Sequence, residues 1–311
     1  MKKVLVTGGH GMVGSELREI RPDFLFPKKS ELDLLSLDSV KNFFGERRGE
    51  IRAVIHLAAR VGGVKANSDF VADFFYQNSV MNQNLLQTCS DEKIEKVVSM
   101  LSTCVYPDEK FVRYPLTEDQ LHVGPPHHSN FGYAFAKRML DVQSRAYRKQ
   151  YGCNFVTAIP NNMYGLNDNY DLESSHVIPA LIRKFYEAKL HNIESVTVWG
   201  TGSPKREFTF ARDAAQIALW LLENYDGENP VNIGNTGSIT IKELVSIISE
   251  EVGFNGNLVF DASKPDGQFE KPSSNEKLMS LGWDGKYTNL RSGIRETVEH
   301  FSRCYPYVRG I

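Results

Sequence analysis

The sequence predicts an α/β protein: a doubly wound parallel sheet joined to a second, smaller α/β domain. Three observations carry this. Short β-branched runs alternate with longer stretches of helical spacing, the intervals are long enough for crossover helices, and a glycine-rich turn follows the first run. Strands separated by helices of ten or more residues pair in parallel, because each crossover must return over the sheet.

Taken in order, Val4–Thr7 reads as the first strand and Gly11–Ile20 opens a helix. Phe24–Phe26 is expected as a short second strand, ahead of helical spacing in Leu37–Phe44. Ala53–Leu57 is the third strand. From Asp69 to Thr88, Phe70, Phe74, Phe75, Val80 and Leu85 fall near a 3.6-residue period, so one long helix is expected. Val97–Leu101 is a fourth strand, Tyr133–Tyr147 a helix, and Phe155–Ile159 a fifth strand. Past residue 160 the rhythm loosens into Asn-, Asp- and Pro-rich loops. Val196–Trp199, Glu207–Phe210 and Val231–Ile233 read as strands of either body. The division expected is 1–165 and 166–311, with some later segments returning to the first domain.

Composition bounds the function. The chain has 311 residues, 41% apolar, 24% charged and 11% aromatic. A chain of this length buries about 75% of its unfolded surface and needs no disulfide or structural metal. The net charge of −2, from 36 basic and 38 acidic residues, lacks the basic footprint of nucleic-acid and membrane-surface binders. Cysteines at 89, 104, 153 and 304 form no CxxC pair, so no metal site is expected. No apolar run approaches about 18 residues, and the first strand meets glycine too soon for a signal-peptide core. Reduced cysteines and a cytoplasmic location are the expectation.

The turn after the first strand reads Thr7, Gly8, Gly9, His10, Gly11, Met12, Val13, Gly14, and a helix follows. Its glycine spacing is GxxGxxG. Glycine permits the tight turn, the approach of backbone to a pyrophosphate, and close packing of helix on strand. The helix amino terminus then offers free N–H groups to the anion. This is a dinucleotide loop of Rossmann type, and His10 is placed to touch the cofactor. At the tip of the expected second strand, an acid would bind the 2′-hydroxyl of NAD. Lys28 and Lys29 stand there instead, which favours the 2′-phosphate of NADP. Asp33 is placed to approach the adenine.

Tyr133 and Lys137 stand at i and i+4 of a helical stretch, so they share a face. An ammonium beside a phenol is expected to lower its pKa and make it a usable acid or base. Ser102, at the tip of the fourth strand, is positioned to hydrogen-bond the same carbonyl oxygen.

These residues resemble the extended short-chain dehydrogenase/reductases, in TGGHGMVG, HLAA (56–59), Ser102 and YAFAK. Within them the chain is similar to the bifunctional branch that converts GDP-4-keto-6-deoxy-D-mannose into GDP-L-fucose, epimerising carbons 3 and 5 and reducing carbon 4. The specific matches are HLAARVGGVKAN (56–67), STCVYP (102–107), NFGYAFAKRM (130–139), PNNMYGLNDNY (160–170), SHVIPALIRK (175–184), VWGTGSPKREF (198–208) and SKPDGQFEK (263–271), spread end to end.

The resemblance implies catalysis by Ser102, Cys104, Tyr133, Lys137 and His176, with Cys104 and His176 as base and acid for the two epimerisations. It implies NADP(H) contacts at Leu57, Ala58, Ala59, Met100, Leu101, Ser102, Lys137, Pro160, Asn161, Asn162, Met163 and His176. It implies substrate contacts at Asn162, Lys184, Trp199, Arg206, Asp266 and Lys271, where some relatives carry arginine in place of Lys184. A homodimer through the 69–88 helix and the helix near Tyr133 is also expected. Rival readings are a dehydratase, a 4-epimerase, or a non-catalytic NADP-binding protein. A dehydratase would carry acids where Cys104 and Val105 stand. A 4-epimerase holds NAD, against Lys28 and Lys29. A dead scaffold would have lost Tyr133 or Lys137.

Overall fold

The computed structural model describes residues 2–264 and 266–311; Pro265, within the SKPDGQFEK segment, and Met1 lie outside the described residues. The chain runs β1 (Lys3–Thr7), α1 (Met12–Ile20), α2 (Leu37–Glu46), β2 (Ile51–His56), α3 (Val64–Asp69), α4 (Val71–Asp91), β3 (Lys96–Met100), α5 (Phe131–Tyr151) and β4 (Phe155–Ile159). It continues through β5 (Asn162–Tyr164), α6 (Val177–Leu190), β6 (Ser195–Trp199), β7 (Lys205–Phe210), α7 (Ala211–Asn224) and β8 (Val231–Asn232). The last elements are β9 (Ser238–Thr240), α8 (Ile241–Val252), β10 (Asn257–Asp261), α9 (Glu276–Ser280) and α10 (Leu290–Cys304).

A five-stranded parallel sheet has the order β1-β2-β3-β4-β8. Both faces are covered, so its strands are mostly apolar, as parallel sheets require. Side chains alternate between faces. Val4, Val6, Ile55, Val98 and Met100 pack with Leu17 of α1 and Ala214, Ala218 and Leu221 of α7. Leu5, Val54 and Val97 pack the other way, with Phe43 and Phe44 of α2, Leu85 and Leu86 of α4 and Leu140 of α5. The Val231–Ile233 run thus rejoins the first sheet, with α7 against it. A third core, including Phe185 of α6, Phe208 and Phe210 of β7, Ile248 of α8 and Phe301 of α10, lies between β5-β7-β9, β10-β6 and their helices.

Two expected elements differ. Phe24–Phe26 forms a single parallel bridge, with the Leu25 N–H donating to Val4 O and the Val6 N–H to Leu25 O, both at 2.9 Å. The four residues between Pro22 and Pro27 have too few donors to build a ladder. The long helix expected at 69–88 is broken at Phe70, whose φ of −118° and ψ of 40° leave the helical region. There α5 comes in close: a Cβ on Gly132 would sit 2.3 Å from the Val71 carbonyl oxygen.

Leu25 bridges one side of β1 and β2 pairs on the other. The chain therefore reverses its direction of winding at β1, and the crevice outside the carboxyl ends of β1 and β2 is where such sheets bind ligands.

Candidate active site

The loop after β1 needs its glycines. Gly8 has φ +71°, and a Cβ on it would lie 2.7 Å from the Ala58 nitrogen. A Cβ on Gly14 would come within 2.4 Å of the Gly8 carbonyl oxygen, so helix and loop touch only because no side chain intervenes. The Gly11 N–H closes the turn on Gly8 O at 2.9 Å. Gly11 occupies the N-cap of α1, and no side chain caps that helix. Its first N–H groups are left for a ligand, which is the arrangement a pyrophosphate requires. His10 ties the loop down, with Nε2 3.2 Å from Phe26 O and Nδ1 3.1 Å from Arg18 Nη1.

A cleft of about 1580 Å³ opens above this loop. It exceeds the roughly 300–1,000 Å³ of a pocket for one small molecule and suits two. Gly8 to Gly14, Lys29, Asp33, Leu57, Ala58, Ala59, Met100, Leu101 and Pro160 to Met163 line it, together with Ser102, Cys104, Tyr133 and His176. Trp199, Arg206, Asp266 and Lys271 from the second body line the same cleft. Lys28, Lys137 and Lys184 are not on its wall. Lys28 is exposed, and its N–H donates to the Glu31 carboxylate at 2.8 Å.

Lys137 lies beneath the surface, one turn of α5 beyond Tyr133. Its ammonium donates to Met100 O at 2.7 Å and stands 6.0 Å from the Tyr133 ring centre. Burial lowers its pKa to about 8. The lysine was expected to pull the Tyr133 phenol down, yet the phenol is pushed up. Burial is the main cause and negative charge on Cys104 adds to it, while the Ser102 hydroxyl acts the other way. Tyr133 is therefore a neutral phenol, able to donate a proton. Phe74 meets its ring edge-on, with centroids 6.3 Å apart.

Below the site, the buried His56 at the end of β2 bridges Thr7 Oγ1 (2.7 Å from Nδ1) and Asn82 Oδ1 (3.0 Å from Nε2). Burial holds it near 4, so it is a neutral clamp between β1, β2 and α4.

After β3, Ser102 starts a single 3₁₀ turn, its Oγ accepting the Cys104 N–H at 3.3 Å. This turn brings hydroxyl and thiol to one wall. Lys271 is near enough for charge on Cys104 to raise its pKa, although burial, the larger effect, lowers it. His176 occupies the N-cap of α6 and opens onto the cleft. The protein mass around that cleft desolvates its imidazole and lowers its pKa.

On the second body, the Asp266 carboxylate accepts the Thr201 N–H at 2.7 Å and the Thr201 hydroxyl at 2.8 Å. Trp199 is 62% exposed, with Lys184 Nζ 5.8 Å and Lys264 Nζ 5.6 Å from its ring. Arg206 Nη1 donates to Lys205 O at 2.7 Å and Phe269 O at 3.3 Å. Sequence reasoning missed several wall residues: Glu207, Asp168, His127, His128 and Arg309. Glu207 had a readable signal, an acid inside an apolar strand. Its carboxylate accepts from Ser273 N (3.1 Å), Ser273 Oγ (2.6 Å) and Asn161 Nδ2 (3.3 Å), joining the Lys271 segment to the Asn161 turn. His127, His128 and Arg309 carried no local signal.

Among the described residues no group of three His, Cys, Asp or Glu is arranged to hold a metal. No described helix is long and apolar enough to cross a membrane.

The NAD dependent epimerase/dehydratase family matches residues 4–234. A GDP-L-fucose synthase of Dictyostelium discoideum is 41% identical, over 99% of this chain and 98% of its own. One from Sinorhizobium fredii is 40% identical, over 96% and 95%. The chain belongs to the GDP-L-fucose synthases of this family. A crystal structure of a GDP-L-fucose synthetase from Naegleria fowleri bound to NADP superposes with a TM-score of 0.92 at 39% identity, covering 99% of this chain and 95% of that one. The GDP-L-fucose synthase fold therefore extends over both bodies of the chain.

Proposed function

We propose that this protein converts GDP-4-keto-6-deoxy-D-mannose into GDP-L-fucose, inverting carbons 3 and 5 and reducing carbon 4 with NADPH. One observation carries the reading. Ser102, Cys104, Tyr133 and His176 line the same cleft as the glycine loop, and that cleft has room for two ligands.

The 4-ketone makes the C–H bonds at carbons 3 and 5 acidic, and inverting each centre needs a base on one face and an acid on the other. Cys104 and His176 take these roles. Burial lowers the His176 pKa and favours its neutral imidazole. Ser102 donates to the ketone oxygen and stabilises the enolate that forms at each inversion. NADPH, held by Gly8 to Gly14, Lys29 and Asp33, supplies hydride to carbon 4. Tyr133 delivers the proton to the carbon-4 oxygen, and the ammonium of Lys137 offsets the charge left on its phenol. Lys137 acts from below the site, through its bond to Met100 O.

The division of labour follows the two bodies, the first holding cofactor and the second, with Trp199, Arg206, Asp266 and Lys271, holding the GDP-sugar. Lys184 supports the Trp199 ring from 5.8 Å away. The functional unit is a homodimer. On α4, Phe75 and Tyr76 are exposed, and α5 exposes Phe131, Met139 and Val142. Pairing α4 and α5 with their copies would bury this apolar surface in a four-helix contact. The free thiols at 89, 104, 153 and 304 suit a reducing, cytoplasmic setting.

The test is incubation with GDP-4-keto-6-deoxy-D-mannose and NADPH, followed by loss of absorbance at 340 nm and NMR of the product. Turnover to GDP-L-fucose is expected. NADPH oxidation that yields an uninverted sugar would overturn the epimerase half, and no oxidation would overturn the whole.

A further inference from the structure

The diphosphate of a dinucleotide brings about two negative charges to the amino terminus of α1. The helix answers with roughly half a charge. The loop itself carries no free cation: His10 and Arg18 are bonded to each other, and Lys29 stands at the adenosine end. A cation from elsewhere would complete the site.

The end of the chain supplies one. Loop 167–171 sits against the first turn of α1, with Asn167 Nδ2 donating to Ser15 Oγ at 3.1 Å. The C-terminal tail is docked on this loop. The Tyr170 N–H donates to Arg309 O at 2.9 Å, and Arg183 Nη1 donates to both Tyr170 O and Gly310 O at 3.1 Å. The fit is close, since a Cβ on Gly310 would lie 2.3 Å from Asn169 Oδ1. So held, Arg309 lines the ligand cleft, and among the described residues its guanidinium has no hydrogen-bond or ion-pair partner. Behind it Asp168 is 6% exposed, with Oδ2 unbonded among the described residues.

We infer that Arg309 is a further cofactor-binding residue, which closes on the dinucleotide diphosphate beside the α1 amino terminus. The guanidinium fork matches phosphate oxygens. Asp168 leaves it free to do so. Burial raises the Asp168 carboxyl to about 7, so near neutral pH it holds only part of a charge against Arg309. The bound diphosphate also gives the tail a reason to be pinned at Tyr170 and Arg183.

The inference rests on the NADP(H) reading above. The experiment is a fluorescence titration of NADPH and, separately, NADH into wild type, Arg309→Ala and Arg309→Lys, with thermal melts of each. Arg309→Ala is expected to weaken both cofactors by roughly tenfold, because both carry the diphosphate. Arg309→Lys should fall between, and the apparent melting temperature without cofactor should stay near wild type. If Arg309→Ala is unstable, Arg309→Gln, neutral and similar in length, replaces it. Unchanged affinity in the neutral variant overturns the inference, as does a loss confined to NADPH, which would place Arg309 at the 2′-phosphate. Failure of wild type to bind NADPH at all would instead overturn the cofactor reading.

Discussion

The Lys137 ammonium donates to the carbonyl of Met100, 2.7 Å away at the end of β3, and reaches Tyr133 only from beneath. Burial lowers it to about 8, so its charge is present below that pH and lost above. Two trends of opposite sign follow. Carbon-4 reduction should decline as pH rises through about 8, because a neutral amine no longer offsets the phenolate left by proton transfer. Stability should move the other way. Between about 8 and the ordinary lysine value near 10.4, the unfolded chain holds a proton that the folded chain has lost, so this residue's contribution rises with pH. Urea unfolding of wild type and Lys137→Met across that window checks it: the difference between them should change with pH, and a constant difference would assign the titration elsewhere.

Tyr133→Phe should slow carbon-4 reduction by about 10²–10⁴-fold, the usual cost of removing one general acid. NADPH affinity should be nearly unchanged, since the ring still meets Phe74 edge-on. Single-turnover oxidation of bound NADPH measures the first and fluorescence titration the second. Reduction above a tenth of the wild-type rate would remove Tyr133 from the role.

Lys29 lines the cleft and Lys28 does not. Discrimination between the two nicotinamides should therefore rest on Lys29 alone. Lys29→Ala is expected to weaken NADPH by about tenfold or more, the worth of one charged hydrogen bond, and to leave NADH alone. Lys28→Ala should change neither. Equal loss of both cofactors in Lys29→Ala would mean that the lysine supports the turn and not the phosphate.

What the sequence made legible is what local rules determine. The alternation of Val4, Leu5 and Val6 gives one strand two buried faces, and the glycine spacing calls for a loop that only glycine can close. Phe24–Phe26 misled because propensity counts residues, whereas a ladder needs donors on both sides, and only Leu25 engages one. The Tyr133–Lys137 spacing correctly put both on one helix face. It could not show that a carbonyl 37 residues earlier would take the ammonium, nor that burial would push the phenol up. Arg309 lay beyond reach for a similar reason: its place in the cleft depends on Tyr170 and Arg183, which meet it only once the chain is folded.

Tyr76 is 64% exposed on α4, a large aromatic for a free surface. If α4 and α5 pair with their copies, light scattering at micromolar concentration should give twice the 35.2 kDa of one chain. Tyr76→Glu should shift the population toward monomer by placing a charge in an apolar contact. A wild-type mass near that of one chain would contradict the dimer.

Cys104→Ala should block inversion at carbons 3 and 5 while leaving a competent hydride-transfer centre. The two tasks draw on different groups. In the proposed mechanism Cys104 and His176 move protons bound to carbon, whereas Tyr133 and Lys137 serve the ketone oxygen. In heavy water and without NADPH, wild type should wash deuterium into both ring positions, since each proton is alpha to the ketone. Cys104→Ala should lose that exchange at one or both positions. His176→Ala removes the acid partner and should show exchange without productive inversion, or neither. NMR of the recovered sugar nucleotide reads both outcomes. The Cys104 N–H bonds to Ser102 Oγ through the backbone, so alanine keeps that contact and the turn with it. Loss of exchange would then report on the thiol itself. Exchange at the wild-type rate in Cys104→Ala would make the thiol a packing residue and require another base on the same wall. The reductase assignment would survive that result, because Ser102, Tyr133 and Lys137 all remain in the variant.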